Sequence, residues 1–424
     1  MRLLFISHPF PWPLNSGGQI RQFELVRGLA QRHELTLLAV SPKFEDPRGA
    51  FPPSPLEEIC RRVISVDWRT LIPVAARQRF HEFAPLRHRL HNLLWWPYSR
   101  EAGPWLSDDV VSLFRQVHEE CQPDVVWVDR SFLAEAARAA GLRPLVVDVD
   151  DILTHCRAGE LRSSGWYKSK PLHYLELLKL RRYERGLPRR FDSLVVCKEE
   201  DRDFFGCGAD RIRVVPNGTK IVPACDRNLE REGVVQFIGT LDYPPNVDAV
   251  RFFVGEVWPQ VRRVMPQAVF HAAGYSLEHL LLPLADGTSI HVHENVPSVE
   301  PFYEAASIVV SPVRTGSGTK LKVLEALVHG KALVATSDSA RGLGLRPGVD
   351  FELADSPGDF AAACVRLLRD PARRRALGEA GRDTVVRRFD WNAIGQRANE
   401  IVLETYARCR TQSPAQRPEL ATVP

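Results

Sequence analysis

The sequence has no C-x-x-C pair, no long apolar run and almost no net charge. Its eight cysteines (Cys60, Cys121, Cys156, Cys197, Cys207, Cys225, Cys364 and Cys409) are scattered through 424 residues. In a chain this large that spacing excludes a disulfide framework or a zinc ribbon and points to reduced thiols in a cytoplasmic protein. No apolar stretch approaches the roughly 18 residues of a membrane-spanning helix. Pro9, Pro11 and Pro13 interrupt the apolar N-terminus before a signal-peptide core could form. The formal charge of +4 makes no demand for a nucleic-acid partner, and no recognition motif for one is present.

What is present is an ordinary globular balance, 44% apolar and 25% charged residues with 27 Gly and 32 Pro. At about 150 residues per domain the length predicts two to three domains. Short apolar runs at Leu3–Ser7, Leu35–Val40, Val63–Val66, Val125–Val128, Leu145–Val149 and Ser193–Val196 read as buried strands. Amphipathic stretches such as Gln19–Ala30, Asp108–Glu120 and Phe132–Ala140 lie between them. A second series of strands runs Val234–Phe237, Ala268–Ala272, Ile290–Val292, Ile308–Ser311 and Ala332–Thr336, with helices over Val247–Met265, Val299–Ala306, Lys320–His329, Phe360–Arg369 and Pro371–Val386. Alternating strands and helices predict parallel sheets covered on both faces, so the fold class is α/β with two doubly wound, Rossmann-like domains. The seam falls at Val215-Pro216-Asn217-Gly218. The expected division is 1–215, a linker over 216–233, a second domain over 234–386, a helix over 387–408 and a disordered tail over 409–424.

The most informative segment runs from Ser311 to Thr336. A strand gives way to a loop with Gly316, Ser317 and Gly318, then to a helix starting near Thr319. Glycines allow close backbone approach, and a helix N-terminus offers open N–H groups. With Lys320 and Lys322 at the same place, the segment suits a diphosphate. Glu325 lies about 8 Å further along the axis, at 1.5 Å per residue, where a carboxylate accepts from both ribose hydroxyls. A capped helix with a solvated Glu is the plainer alternative. Val235–Asn246 has the form of a first strand ending at Gly239 and Thr240, either a diphosphate turn or a structural turn capped by Asn246. Gly17 and Gly18, after the first strand, would place further N–H groups at a helix start. His291 and His293, two apart on a strand, lack a third ligand, and no metal site is expected.

Together, Gly17-Gly18, Val215-Pro216-Asn217-Gly218, Phe237-Ile238-Gly239 and the Ser311–Thr336 segment resemble the retaining glycosyltransferases of the GT-B fold, family 4, of the exopolysaccharide type. The resemblance covers residues 1 to about 408. It implies two Rossmann-like domains facing a cleft, with a C-terminal helix crossing back. It also implies transfer of a sugar from a nucleotide diphosphate sugar, a co-substrate that leaves no need for a cofactor, to a glycan or lipid-linked acceptor in cell-surface polysaccharide synthesis. Donor-binding residues carried over are Gly239, Thr240, Gly316, Ser317, Gly318, Thr319, Lys320, Lys322, Glu325 as the ribose ligand, and Val296 beside the nucleobase. The sequence departs from the family's pattern: Ser317 stands where many members have a Glu touching the donor sugar, and the stretch with Thr240, Asp242 and Asn246 has no cation where many have an Arg directly after the Gly and a Lys a few residues on. Lys320 and Lys322 are expected to supply the missing charge.

On the acceptor side, Gly17 and Gly18 form the functional loop. Asp150, Asp151 or His155 would orient or deprotonate the acceptor hydroxyl. The Asp148-x-Asp150 pattern also suits a divalent cation in a single-domain transferase, an architecture the mid-chain seam argues against, and paired carboxylates at a helix start are also ordinary caps. Residues 157–190 hold ten Lys and Arg against three Asp and Glu, with Trp166 and Tyr167, and Leu93–Tyr98 is rich in aromatics. Such surfaces suit peripheral docking to an anionic membrane, or else are a solvated helix face and a core cluster. Rival readings are a nucleotide-sugar epimerase or hydrolase and a catalytically silent partner subunit. A dehydrogenase is a distant third because no Gly-x-Gly-x-x-Gly follows either first strand.

Overall fold

Seven apolar runs in the first part of the chain pair side by side, all parallel, in the order β3-β2-β1-β4-β5-β6-β7. They are β1 (Arg2–Ser7), β2 (Glu34–Val40), β3 (Arg62–Val66), β4 (Val125–Asp129), β5 (Leu145–Asp150), β6 (Ser193–Val196) and β7 (Ile212–Val214). The computed structural model describes residues 1–14, 16–41, 54–81, 84–163, 165–167, 169–206, 208–315 and 319–411. Alternate residues of each strand enter different cores. Leu4, Ile6, Val126 and Val128 face one layer of helices, and Leu3, Phe5, Val125 and Trp127 face the other. Burial on both faces is why these strands read as continuous apolar runs instead of alternating ones.

The helices that position the candidate residues in this unit are α1 (Gly17–Ala30), α2 (Leu86–Leu94), α3 (Leu153–Ser163) and α4 (Lys170–Arg185). The Ser16 hydroxyl caps α1 by accepting the Gln19 N–H. Helix α1 therefore starts at Gly17, two residues earlier than its periodicity predicts.

The second unit has six parallel strands in the order β10-β9-β8-β11-β12-β13. These are β8 (Val234–Ile238), β9 (Val269–Gly274), β10 (Ile290–Glu294), β11 (Ile308–Ser311), β12 (Ala332–Ala335) and β13 (Glu352–Leu353). The helix expected over Val247–Met265 runs from Pro244 to Val264 with a wide π turn at Phe253–Val257. Pro259 has no N–H to give to the preceding turn, and the Trp258 N–H reaches back to Phe253 O. Helix α5 (Leu321–Val328) begins after Lys320, whose extended backbone (ψ 90°) keeps it outside the helix.

Met1–Pro216 and the chain from Trp391 form one unit, and Asn217–Asp390 form the other. The stretch 216–233, expected as a linker, is laid on to the second unit. The Thr219 N–H donates to Phe389 O (2.8 Å), Cys225 N–H to His329 O (3.0 Å) and Arg231 N–H to Ala305 O (3.0 Å). The helix expected over 387–408 is two helices, α6 (Pro371–Arg388) and α7 (Trp391–Thr411), broken at Phe389-Asp390. Helix α7 packs in the first unit, where Trp391, Ile394 and Ala398 join the core behind β1 and β4. It crosses α1 at glycines: a Cβ on Gly28 would stand 2.8 Å from the Gly395 Cα. Residues 412–424, read as a disordered tail, lie outside the described residues.

Candidate functional site

In the second unit the end of β8 is built around absent side chains. A Cβ on Gly274 would fall 1.9 Å from Gly239 O, so β8 and β9 end backbone against backbone. A Cβ on Gly239 would meet both the Lys322 ammonium and the Asn246 amide at 3.1 Å. Lys322 projects from the first turn of α5 and donates to Asn246 Oδ1, with its ammonium 4.7 Å from the centre of the Phe237 ring. The Asn246 amide in turn donates to Thr240 O at 2.7 Å. Asn246 is thus both the turn's brace and the holder of the lysine. Burial, then repulsion from Lys320, brings the Lys322 ammonium down to about 7, against an opposing pull from Glu325.

Glu325 follows on α5 and accepts from the Tyr303 hydroxyl at 3.5 Å. Burial raises its carboxyl above the ordinary range, with Lys322 opposing. Tyr303 is itself fully buried and stacked on His329 at 4.2 Å. The buried Thr319 hydroxyl has no partner among the described residues. Gly316, Ser317 and Gly318 lie outside the described residues, so the loop before α5 is represented by Thr319 and Lys320. Val296 is half-buried in the loop after β10, beside Asn295, whose N–H donates to Gly274 O at 2.7 Å. His291 and His293 form a stacked row with His271, and His271 Nδ1 is 2.9 Å from His293 Nε2. Chemically, this end of the sheet offers a lysine at a glycine turn and a carboxylate further along the same helix.

In the first unit the strand ends carry charge. Arg21 on α1 is 1% exposed and grips Asp148 through two bonds of 3.0 Å, while also donating to Val215 O at 2.9 Å. Asp148 is therefore a structural anchor between α1 and β5. Asp150 sits in the left-handed region (φ 57°), where its carboxylate meets Arg130 at 2.9 Å and accepts from Cys197 at 3.3 Å. Burial opposes its ionisation, but Arg130, then Arg21, hold its carboxyl below the usual value. Arg130, at the end of β4, has φ 73°. Two non-glycine residues at positive φ in one ion pair are a concentration of backbone strain. A Cβ on Gly18 would stand 3.1 Å from the Arg130 guanidinium, so Gly18 leaves the space this arginine fills.

The sequence-predicted acceptor residues separate. Asp150 and Gly18 converge on Arg130; Asp151 is half-buried next to them. His155 is exposed on α3, 3.9 Å from Asp201 and edge-on to Phe204. The first N–H groups of α3, those of Leu153 and Thr154, donate to Glu184 of α4 at 2.9 and 3.0 Å. Sequence reasoning missed Arg130, which has no motif, and His8, after β1. His8 Nδ1 lies 2.6 Å from Val40 O, so that nitrogen carries the proton and Nε2 is the free acceptor of a neutral ring. Burial lowers its pKa, and Arg130 adds to that.

Two doubly wound parallel units in one chain, matched over nearly their whole length by solved glycosyltransferase structures, give the GT-B fold. Residues 16–218 match the glycosyl transferase 4-like domain, and residues 232–370 match glycosyl transferases group 1. The chain belongs to the GT-B glycosyltransferases. It is 22% identical to an uncharacterized 44.6 kDa protein in the cps region of Klebsiella pneumoniae, over 87% of this chain and 91% of that protein. Among solved structures, a sucrose-phosphate synthase from Thermosynechococcus elongatus covers 96% of this chain and 99% of its own at 16% identity (TM-score 0.67). Anabaena HepE, solved with UDP and glucose, covers 94% and 98% at 15% identity (TM-score 0.62). No helix among the described residues is long and apolar enough to cross a membrane.

Proposed function

We propose that this glycosyltransferase moves a sugar, with retention at the anomeric carbon, from a nucleotide diphosphate sugar to a glycan or lipid-linked acceptor in cell-surface polysaccharide synthesis. The observation that carries the donor half is the Gly239–Asn246–Lys322 turn with Glu325 on the same helix. The diphosphate lies over Gly239 against Lys322, Lys320 and the start of α5, and the ribose hydroxyls reach Glu325. As the bond from the sugar to the diphosphate breaks, these cations stabilise the charge left on the phosphate oxygen without a divalent cation. The acceptor oxygen bonds to the same face of the anomeric carbon, with Asp150 or Asp151 orienting the hydroxyl, whose proton passes to the departing phosphate oxygen. The relative in the Klebsiella cps region supports the polysaccharide pathway. The HepE complexes make a uridine nucleotide the first to try.

The test is calorimetric titration of the purified chain with UDP, GDP and ADP, without added metal. One nucleotide should bind saturably, and Glu325→Ala should weaken it by about 1–3 kcal/mol, the range for losing hydrogen bonds to a charged group. Unchanged affinity in the variant would remove Glu325 from the ribose role. Failure of all three nucleotides to bind would favour a silent partner subunit.

A further inference from the structure

Helices α2, α3 and α4 of the first unit enclose a cavity of about 370 Å³, within the roughly 300–1,000 Å³ of small-molecule sites. Helix α2 turns its polar side to it. Arg89 (6% exposed) and Asn92 (5% exposed) are in the wall, while Leu86, Leu90 and Leu94 of the same helix are exposed. The charges around the cavity cancel in pairs. Arg89 donates twice to Glu176 at 3.0 Å, Arg100 stands 3.7 Å from Glu101, and Arg157 donates to Glu160 at 2.9 Å. Lys179 donates to Asn92 O, and burial brings its ammonium down to about 8 against the pull of Glu101 and Glu176. Leu93, Leu161, Leu177, Leu180 and Tyr167 supply the apolar part of the wall. The Asn92 amide is fixed at its nitrogen end, which donates to Arg79 O at 3.0 Å. Its Oδ1 is buried and makes no hydrogen bond among the described residues. The same holds for Arg100 Nη1, which has Glu176 at 3.5 Å, an ion-pair distance only.

We propose that this cavity is a binding site for a neutral saccharide of one or two residues, separate from the sugar of the donor. Asn92 Oδ1 is an acceptor and Arg100 Nη1 a donor, so the wall asks for a group that both gives and takes a hydrogen bond. A hydroxyl does both; an ammonium only donates and a phosphate dianion only accepts. The paired charges leave little net field to select an ion, and the cavity already discharges part of its own lysine. An aliphatic ligand would leave Asn92 and Arg100 buried and unmatched, which is costly. The leucines and Tyr167 suit the C–H faces of a sugar ring. On α3 the wall residues Arg157, Glu160 and Leu161 lie about 6–12 Å along the axis from Leu153, at 1.5 Å per residue. None of the wall residues belongs to the Asp150–Arg130 pair or to the Gly239–Lys322 turn. The inference therefore goes beyond the proposed transfer and fails independently of it; in a glycosyltransferase such a site holds a glycan at a second point.

The experiment is saturation-transfer NMR of the full chain, without nucleotide, with maltose, cellobiose, lactose and N-acetyllactosamine, followed by calorimetry on the one that binds best. At least one should bind saturably and slow amide hydrogen exchange in α2, α3 and α4. Glucosamine and glucuronic acid should bind more weakly than glucose. Asn92→Leu removes the acceptor at nearly constant size and should weaken the saccharide about threefold to tenfold, the range for one hydrogen bond between neutral groups. Leu177→Trp fills the cavity and should abolish binding, while the far-ultraviolet spectrum, the melting temperature and the nucleotide titration stay as in the parent. Failure of all four disaccharides to bind would overturn the proposal. Full affinity in Asn92→Leu or in Leu177→Trp would also overturn it, since the sugar would then sit elsewhere. Tighter binding of glucosamine or glucuronic acid than of glucose would make the cavity an ion site instead.

Discussion

Nucleotide affinity should fall as pH rises above neutrality, and Lys322 is the reason. Its ammonium is brought down to about 7 by burial and by Lys320, with Glu325 pulling the other way. A diphosphate selects the charged lysine. The competent fraction of free protein is about one half at pH 7, about one tenth at pH 8 and about one hundredth at pH 9. Apparent affinity scales with that fraction, so the dissociation constant rises about fivefold from pH 7 to 8 and about tenfold more by pH 9. A terminal phosphate loses its second proton near pH 6, so the ligand's own charge is nearly constant over this range. Binding also draws a proton on to the lysine, up to about one per site at pH 8 and above. Titrations repeated in buffers of different ionisation heat read that uptake directly. Lys322→Met keeps an unbranched apolar stem over Phe237, removes the charge and flattens the profile. A wild-type affinity that is level from pH 7 to 9, with no proton uptake, refutes the reasoning.

Two further outcomes follow from the first unit. Arg21→Ala strands the buried carboxylate of Asp148 and should cost about 3–5 kcal/mol in a denaturant melt; a loss below 1 kcal/mol would mean that water or another cation takes its place. Asp150→Asn suits the left-handed backbone at φ 57°, since Asn adopts it readily. Turnover should drop by about 10²–10⁴-fold with nucleotide affinity intact, and turnover within threefold of the parent would exclude Asp150 from handling the acceptor proton.

Strands with both faces buried announce themselves, and β1, β2, β4 and β5 could be read from Leu3, Leu35, Val125 and Leu145 onward. Strand β13 could not, because Glu352 and Leu353 are only two residues and pair through β12. The turn at Gly239 and the cations of α5 were legible as residue types in order. What the order does not reveal is that Asn246 holds Lys322, a contact made only when the turn after β8 is laid beside α5. The same limit hid Arg130. Its partner Asp150 is on the neighbouring strand, and the glycine that makes room for it is on α1. Helix α2 was opaque for another reason: its leucines face outward, so a reading that assigns apolar residues to the interior finds no consistent face. The part Glu184 plays at the start of α3 was out of reach of the sequence because Glu184 comes from a separate helix.

Among the described elements of the first unit, helix α7 is the last to leave the ribosome. Translation delivers Met1–Pro216 and then the whole of Asn217–Asp390 before Trp391, Ile394 and Ala398 exist to cover Phe5 and Trp127. Through that interval the first unit is an unfinished body with an apolar flank, the condition under which chaperones bind and nascent chains aggregate. The second unit carries its own sheet and cores and can complete itself while the first waits. A premature stop ahead of Trp391 would therefore spare the later-made half and cripple the earlier-made one, an inversion of the usual rule that damage falls downstream of the stop.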